Sequence, residues 1–291
     1  MMILKKFLRR KLKIAISILP LFYLASCSIV STIIGPLEVG DWRYEIWEGL
    51  RAEIKDERKG LFKDRGLFGE IDLLVKKKIE ATPVFAENVK GRATDEIYLL
   101  SPRNTRVRGS LWDGTFRWNW AVGGSNYVFH LHKDGVEILE TPRGGKRTIN
   151  LKDSVEFVSG PVYSWNITCC VSICNLSLSS NAFDLPRFTL LTPEEEREVE
   201  IEVDAVARWS VSKGVVGSPV DIALRGLVLE RHRLYMEEIE LFSDGIEKHP
   251  DSPLLHLLLS SVLDLTGCPS RAREEYERAR ELSTKDGGWS R

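Results

Sequence analysis

The stretch Gly160-Pro161-Val162-Tyr163-Ser164-Trp165-Asn166-Ile167 decides the fold of the centre of the chain. Tyr163, Trp165 and Ile167 alternate with smaller polar residues, so a strand here presents all three large side chains on one face. Aromatic and β-branched residues at period two, opened by Gly and Pro, mark a half-buried strand. The same texture extends to both sides. Candidate strands at 96–100, 115–120, 126–132, 136–141, 147–151, 162–171 and 183–191 are punctuated by Gly, Asn, Asp and Pro. Seven short antiparallel strands within 93–191 predict a β-sandwich. Gly123-Gly124-Ser125 and Gly144-Gly145 fall between candidate strands and read as hairpin turns, not as nucleotide loops.

Phe116-Arg117-Trp118, Tyr127-Val128-Phe129-His130-Leu131 and the quoted stretch together resemble a fibronectin type III or immunoglobulin-like module over about a third of the chain. The resemblance implies that Trp118 is the core tryptophan, that Tyr127 starts the next strand, and that Tyr163 is the corner tyrosine whose hydroxyl ties down a loop. Trp165 shares the face of Tyr163. The inter-sheet positions that hold a disulfide in immunoglobulin domains carry no cysteine pair. Cys169, Cys170 and Cys174 cluster instead, and neighbours on a strand point to opposite faces. At most one of Cys169 and Cys170 therefore faces the core, and the candidate disulfide joins one of them to Cys174. No fourth ligand at zinc spacing accompanies these cysteines. His130 and His132 share a strand face and read as a structural pair of surface histidines without carboxylate or cysteine company. No metal and no cofactor is expected.

Thr192-Pro193-Glu194-Glu195 starts a helix, with Thr as N-cap, Pro at the first position and Glu at the capping-box site. Val199, Ile201, Val203 and Ala205 also alternate as a strand would, but the cap and acidic first turn favour helix. After Pro219 the chain resembles tetratricopeptide repeats, two helices per 34-residue unit. Ser260, Leu263, Gly267, Ala272, Tyr276 and Ala279 carry the second unit, and Gly226, Leu229, Phe242, Gly245 and Pro250 fit the first. Arg233 stands where the turn glycine belongs, Glu238 where alanine belongs, and Thr284 in place of the closing proline. These departures mark the repeats as degenerate. The helix from Thr192 is expected to cap the first unit.

Ahead of the strands, Trp42, Ile46, Leu50 and Ile54 recur at four-residue steps, and Leu67, Ile71, Leu74 and Val75 share one side of a second candidate helix. Further back, Lys5, Lys6, Arg9, Arg10, Lys11 and Lys13 precede an apolar run from Ile14 to Leu24 and then Ala25-Ser26-Cys27. Charged, apolar and small-residue regions in that order form an export signal. Leu24-Ala25-Ser26-Cys27 further resembles the lipobox of bacterial lipoproteins, which implies cleavage after Ser26 and a diacylglyceryl thioether on Cys27. An uncleaved transmembrane anchor is the alternative, since Ile14 to Leu37 carries no charge. Both place the protein in the bacterial envelope, facing the periplasm or the exterior, and Ser28 favours the outer membrane. The precursor carries 41 basic and 42 acidic residues; without the six cations of the leader, 35 face 42, an acidic body near −7. That balance gives no argument for nucleic-acid binding.

The expected organisation is 1–26 signal peptide, 27–37 lipidated tether, 38–92 helical segment, 93–191 β-sandwich, 192–285 tetratricopeptide-like domain and 286–291 tail. It is a multidomain β plus α chain: an antiparallel sandwich followed by helical hairpins, preceded by a short helical segment. The chain carries no HExxH, GxSxG, Walker loop or paired Cys-x-x-Cys motif. The sequence thus favours a non-catalytic adaptor held at the membrane through lipid on Cys27 and binding another envelope protein. A cell-wall glycan binder stacking sugars on exposed Trp112, Trp120 or Trp289 is the second reading, and an envelope hydrolase the third.

Overall fold

The computed structural model describes residues 99–118, 127–144, 146–169 and 185–285, with helical positions at Arg43, Ile46, 48–52, Leu67, Ile71 and 73–75. The export signal, Cys27, Cys170, Cys174, Trp120 and Trp289 lie outside these residues. So does the side chain of Cys169, the last residue of its strand.

Among the described residues eight strands precede the long helices: β1 (Leu99–Ser101), β2 (Thr105–Val107), β3 (Thr115–Trp118), β4 (Tyr127–Lys133), β5 (Val136–Gly144), β6 (Thr148–Asn150), β7 (Tyr163–Cys169) and β8 (Arg187–Leu190). They form a three-stranded sheet in the order β1-β3-β6 and a five-stranded sheet in the order β2-β8-β7-β4-β5. The long antiparallel pair β4–β7 sets Phe129 opposite Ile167 and Leu131 opposite Trp165, so alternate residues share one face. Phe116, Trp118 and Ile149 from the small sheet meet Tyr127, Phe129, Leu131, Tyr163, Trp165 and Ile167 from the large one in a single core. Two buried polar tips in that core are satisfied. The Trp165 indole N–H donates to the Pro102 carbonyl at 2.7 Å, and the Tyr163 hydroxyl accepts the Val158 N–H at 3.1 Å.

One strand departs from the sequence expectation. β2 pairs in parallel with β8, Thr105 opposite Phe188 and Val107 opposite Leu190. Three residues are too few to show a period, and their partner lies at the far end of the strand region.

Five helices follow: α1 (Pro193–Lys213), α2 (Pro219–Arg231), α3 (Tyr235–Lys248), α4 (Pro253–Leu265) and α5 (Pro269–Lys285). Thr192 caps α1 reciprocally: its hydroxyl accepts the Glu195 N–H at 3.2 Å, and the Glu195 carboxylate accepts the Thr192 N–H at 2.9 Å. Gly214, at φ 68°, ends it. The strand alternative for 199–205 loses because Val199, Glu202, Val206 and Trp209 form the buried ridge of a helix.

The hairpins α2–α3 and α4–α5 repeat one another. Ser218 and Ser252 cap their first helices, each accepting a backbone N–H from three residues on. Arg233 and Gly267 both have positive φ, 60° and 75°, at the equivalent point of the two turns. The turn bonds match one for one, Leu234 N–H to Leu229 carbonyl at 2.9 Å and Cys268 N–H to Leu263 carbonyl at 2.8 Å. Small residues permit close packing between the paired helices. A Cβ on Gly226 would lie 2.1 Å from the Phe242 ring, and one on Gly245 3.0 Å from Ile222.

The described apolar residues ahead of the strands join the helical core. Ile46, Leu50, Ile71 and Val75 are buried in the same apolar cluster as Trp209, Leu224, Leu258 and Ala279. The Arg43 guanidinium lies 6.0 Å above the Tyr276 ring. Residues on both sides of the strands in sequence thus build one helical layer.

Candidate functional site

β2 is the splint between strands and helices. Its Arg106 N–H donates to the Arg233 carbonyl at 2.8 Å, and the Thr105 hydroxyl donates to the same oxygen at 3.1 Å. Beyond β2, the Leu191 N–H donates to the Val107 carbonyl at 3.0 Å. Side chains reinforce the seam. The Arg106 guanidinium meets Glu195 at 2.6 Å, Arg108 grips Glu237 with Nε 3.0 Å from both carboxylate oxygens, and the Ser110 hydroxyl meets Glu196 at 2.5 Å. Bidentate and charge-assisted bonds of this kind fix orientation as well as adding energy.

Two clefts flank this seam. The larger, about 530 Å³, lies between the strands and α3 and is lined by Pro102, Leu111, Trp112, Leu229, Met236 and Leu241 with charged residues among them. Leu111 is 63% exposed there, an apolar side chain held out toward solvent. Two acids of this groove are engaged, Glu237 by Arg108 and Asp113 by the Thr115 N–H at 2.9 Å and hydroxyl at 2.8 Å, while the exposed Glu240 of α3 also lines it. The groove therefore offers apolar contact rimmed by charged and polar groups, suited to holding a side chain or a short peptide. The smaller cleft, about 360 Å³, lies across β2 and β8 and the α2–α3 turn, and is lined by Arg106, Arg187, Arg231, His232 and Arg233 beside Asn104 and Thr189.

Electrostatics concentrate at the seam. Glu195 is held below the usual carboxylate range by the Arg106 guanidinium and the Thr192 N–H. Burial raises Glu202, but hydrogen bonds from His232, at 2.8 Å, and from Arg231 outweigh it and leave its carboxyl lowered. Burial pushes the Tyr235 phenol and the Asp264 carboxyl up.

The residues singled out from the sequence divide between packing and the undescribed segments. Trp118, Tyr127, Tyr163 and Trp165 lie together in the strand core. Gly226, Phe242, Gly245, Ser260, Ala272 and Ala279 are buried between helices, and Tyr276 is half-buried beside them. Gly267 makes the second turn, and the Pro250 carbonyl accepts from the His256 ring at 3.1 Å. Leu229 alone among them lines the groove. Cys268 is a free thiol. The candidate disulfide and the Leu24 to Cys27 anchor lie outside the described residues.

Two expectations are corrected. Trp112 is not an exposed stacking platform: its ring packs edge-on against Phe157, Phe188 and Phe116 at 5.0, 5.2 and 5.5 Å. His130 does have carboxylate company, because the β4–β5 hairpin pairs His130 with Glu140 and folds Glu137 back beside it. Its Nδ1 lies 2.5 Å from Glu137 and its Nε2 2.8 Å from the Thr168 hydroxyl. His130, Glu137 and Glu140 bring one donor atom each within 4.8 Å of one another, the donor set among the described residues that could hold a metal ion. The seam was missed altogether. Thr105-Arg106-Val107-Arg108 does alternate, with arginines facing outward, and that was the only available signal.

No protein-family model matches the chain, and a search of curated proteins finds no match.

Proposed function

We propose that the protein is a lipid-anchored envelope adaptor without catalysis, in which an immunoglobulin-like sandwich and tetratricopeptide-like hairpins together hold a segment of a partner polypeptide. The observation that carries this reading is the groove between strands and α3, where Leu111, Met236 and Leu241 offer apolar contact while the neighbouring Glu237 is already engaged by Arg108. The shared core of the two sheets supports the sandwich assignment, and the matching turns at a 34-residue interval support the repeats. The lipobox match at Leu24, Ala25, Ser26 and Cys27 supports the anchor, with the acyl chains supplying the membrane attachment.

Repeats of this class use an inner face for peptides, yet here Ile46, Leu50, Ile71 and Val75 pack into the helical cluster and take up apolar surface the hairpins would otherwise offer. Binding is therefore assigned to the strand–helix groove. Crosslinking in the native envelope, followed by identification of the captured chain, tests this. A defined adduct that disappears in a Leu111→Glu, Met236→Glu variant supports the adaptor; capture unaffected by that variant removes the groove from the account. Mass measurement of the mature N-terminus tests the anchor: acylated Cys27 is expected, and an intact Met1 would establish a transmembrane anchor instead.

A further inference from the structure

The smaller cleft is built for an anion. Four arginines and a histidine line it, and no acid does among the described residues. Glu195 engages Arg106, and Glu202 engages Arg231 and His232. Arg187 and Arg233 are exposed, and neither has an ion-pair partner among the described residues. Among the described residues the cleft therefore presents two guanidiniums without an ion-pair partner beside the Asn104 amide and the Thr189 hydroxyl.

A second observation is independent of charge. Arg233 has φ 60°, a left-handed conformation that suits glycine and strains a residue with a Cβ. The equivalent turn uses Gly267 with the same hydrogen bonds. Nothing in the turn itself calls for arginine. Asn104, another of the three non-glycine residues with positive φ among those described, lines the same cleft. Strained backbone concentrated at one cleft is characteristic of a site where function overrides local preference.

From this geometry we infer that the cleft binds a phosphoryl group, with Arg187 and Arg233 as its direct ligands and Arg106 and Arg231 held in place behind them. Every fixed cation here is a guanidinium, whose planar fork matches two phosphate oxygens at once. A soluble phosphate ester and the headgroup of an anionic phospholipid share this chemistry.

Titration calorimetry of the full chain in neutral detergent micelles tests the assignment, with inorganic phosphate as one probe and dihexanoyl phosphatidic acid as the other. Dihexanoyl phosphatidylcholine is the control. Saturable, salt-sensitive binding is expected, weakened about tenfold or more by Arg187→Ala and by Arg233→Gly, and unchanged by Arg280→Ala on exposed α5. Arg233→Gly carries its own control for folding, because relief of the left-handed strain should raise the melting temperature by about 2–4 °C while binding is lost. Arg187→Ala, on an exposed strand position, keeps the test intact should the turn variant misfold. Binding of both probes points to a lipid headgroup, and of phosphate alone to a soluble ester. No heat of binding with either probe up to about 10 mM, or wild-type affinity in Arg187→Ala, overturns the assignment.

Discussion

Arg233 and Gly267 hold the same place in two hairpins, yet the strands treat the two turns differently. β2 takes the first turn by its backbone, with Thr105 and Arg106 both donating to the Arg233 carbonyl. Arg103, just before β2, reaches the second turn by its side chain, so close that a Cβ on Gly267 would sit 2.7 Å from the guanidinium. Arg103, Thr105 and Arg106 between them thus touch both turns. The first hairpin is specialised for docking: it meets β2 at its turn, borders both clefts, and supplies Arg231 and His232 to the lowered Glu202 carboxylate of α1. The second keeps the ordinary packing of the repeat. One degenerate repeat position, Arg233, is on this comparison the one whose carbonyl holds the strands.

The largest expected effect comes from removing the close approach inside the first hairpin. Gly226→Ala drives a methyl into the Phe242 ring and should cost roughly 3 kcal/mol, whereas Ser260→Ala at the matching site of the second hairpin should cost under about 1 kcal/mol. Urea unfolding at fixed pH measures both, and equal costs would erase the distinction. Next, Gly267→Ala should lose about 1–2 kcal/mol, since it adds left-handed strain and a clash with Arg103. Glu237→Ala should cost about 1 kcal/mol by leaving Arg108 without its bidentate partner. It should also speed amide exchange at Arg106 more than at residues of α5.

Acid should act in particular where α1 meets β2 and the first hairpin. Glu195 and Glu202 titrate below their ordinary value near 4.5 in the folded protein, so the stability they contribute is fully present above that pH. It is lost as pH falls through their lowered values. Chemical denaturation from pH 7 to pH 3 should show this loss, and Glu202→Gln should flatten it. Asp264, in the second hairpin, has a raised carboxyl, so its charge opposes folding at neutral pH and the opposition fades in acid. Asp264→Asn should accordingly shift stability at pH 7 by less than about 0.5 kcal/mol, in the stabilising direction.

The legible parts of the sequence were those governed by local physics. Tyr163, Trp165 and Ile167 announced a strand face by period alone, and Thr192-Pro193-Glu194-Glu195 announced a helix start by its cap. Arg233 stood out as a departure from the repeat pattern, but what surrounds it, β2 on its carbonyl and the cleft across β2 and β8, lies in another part of the chain. The same holds for β2 itself, for Glu137 beside His130, and for Ile46 and Ile71 in the helical core. Each depends on contacts between distant segments, which no local period encodes. Trp112 misled for a related reason, since a tryptophan in a turn looks exposed until three phenylalanines close around it.

The central claim is that the strand–helix groove holds a partner polypeptide in the envelope. A photo-reactive phenylalanine analogue at Leu111, compared with one at Ile201 on the exposed face of α1, tests it most directly. Irradiation of cells should give one or a few adducts of defined mass from position 111 and none from 201. Equal adducts from both positions, or none from 111, would contradict it.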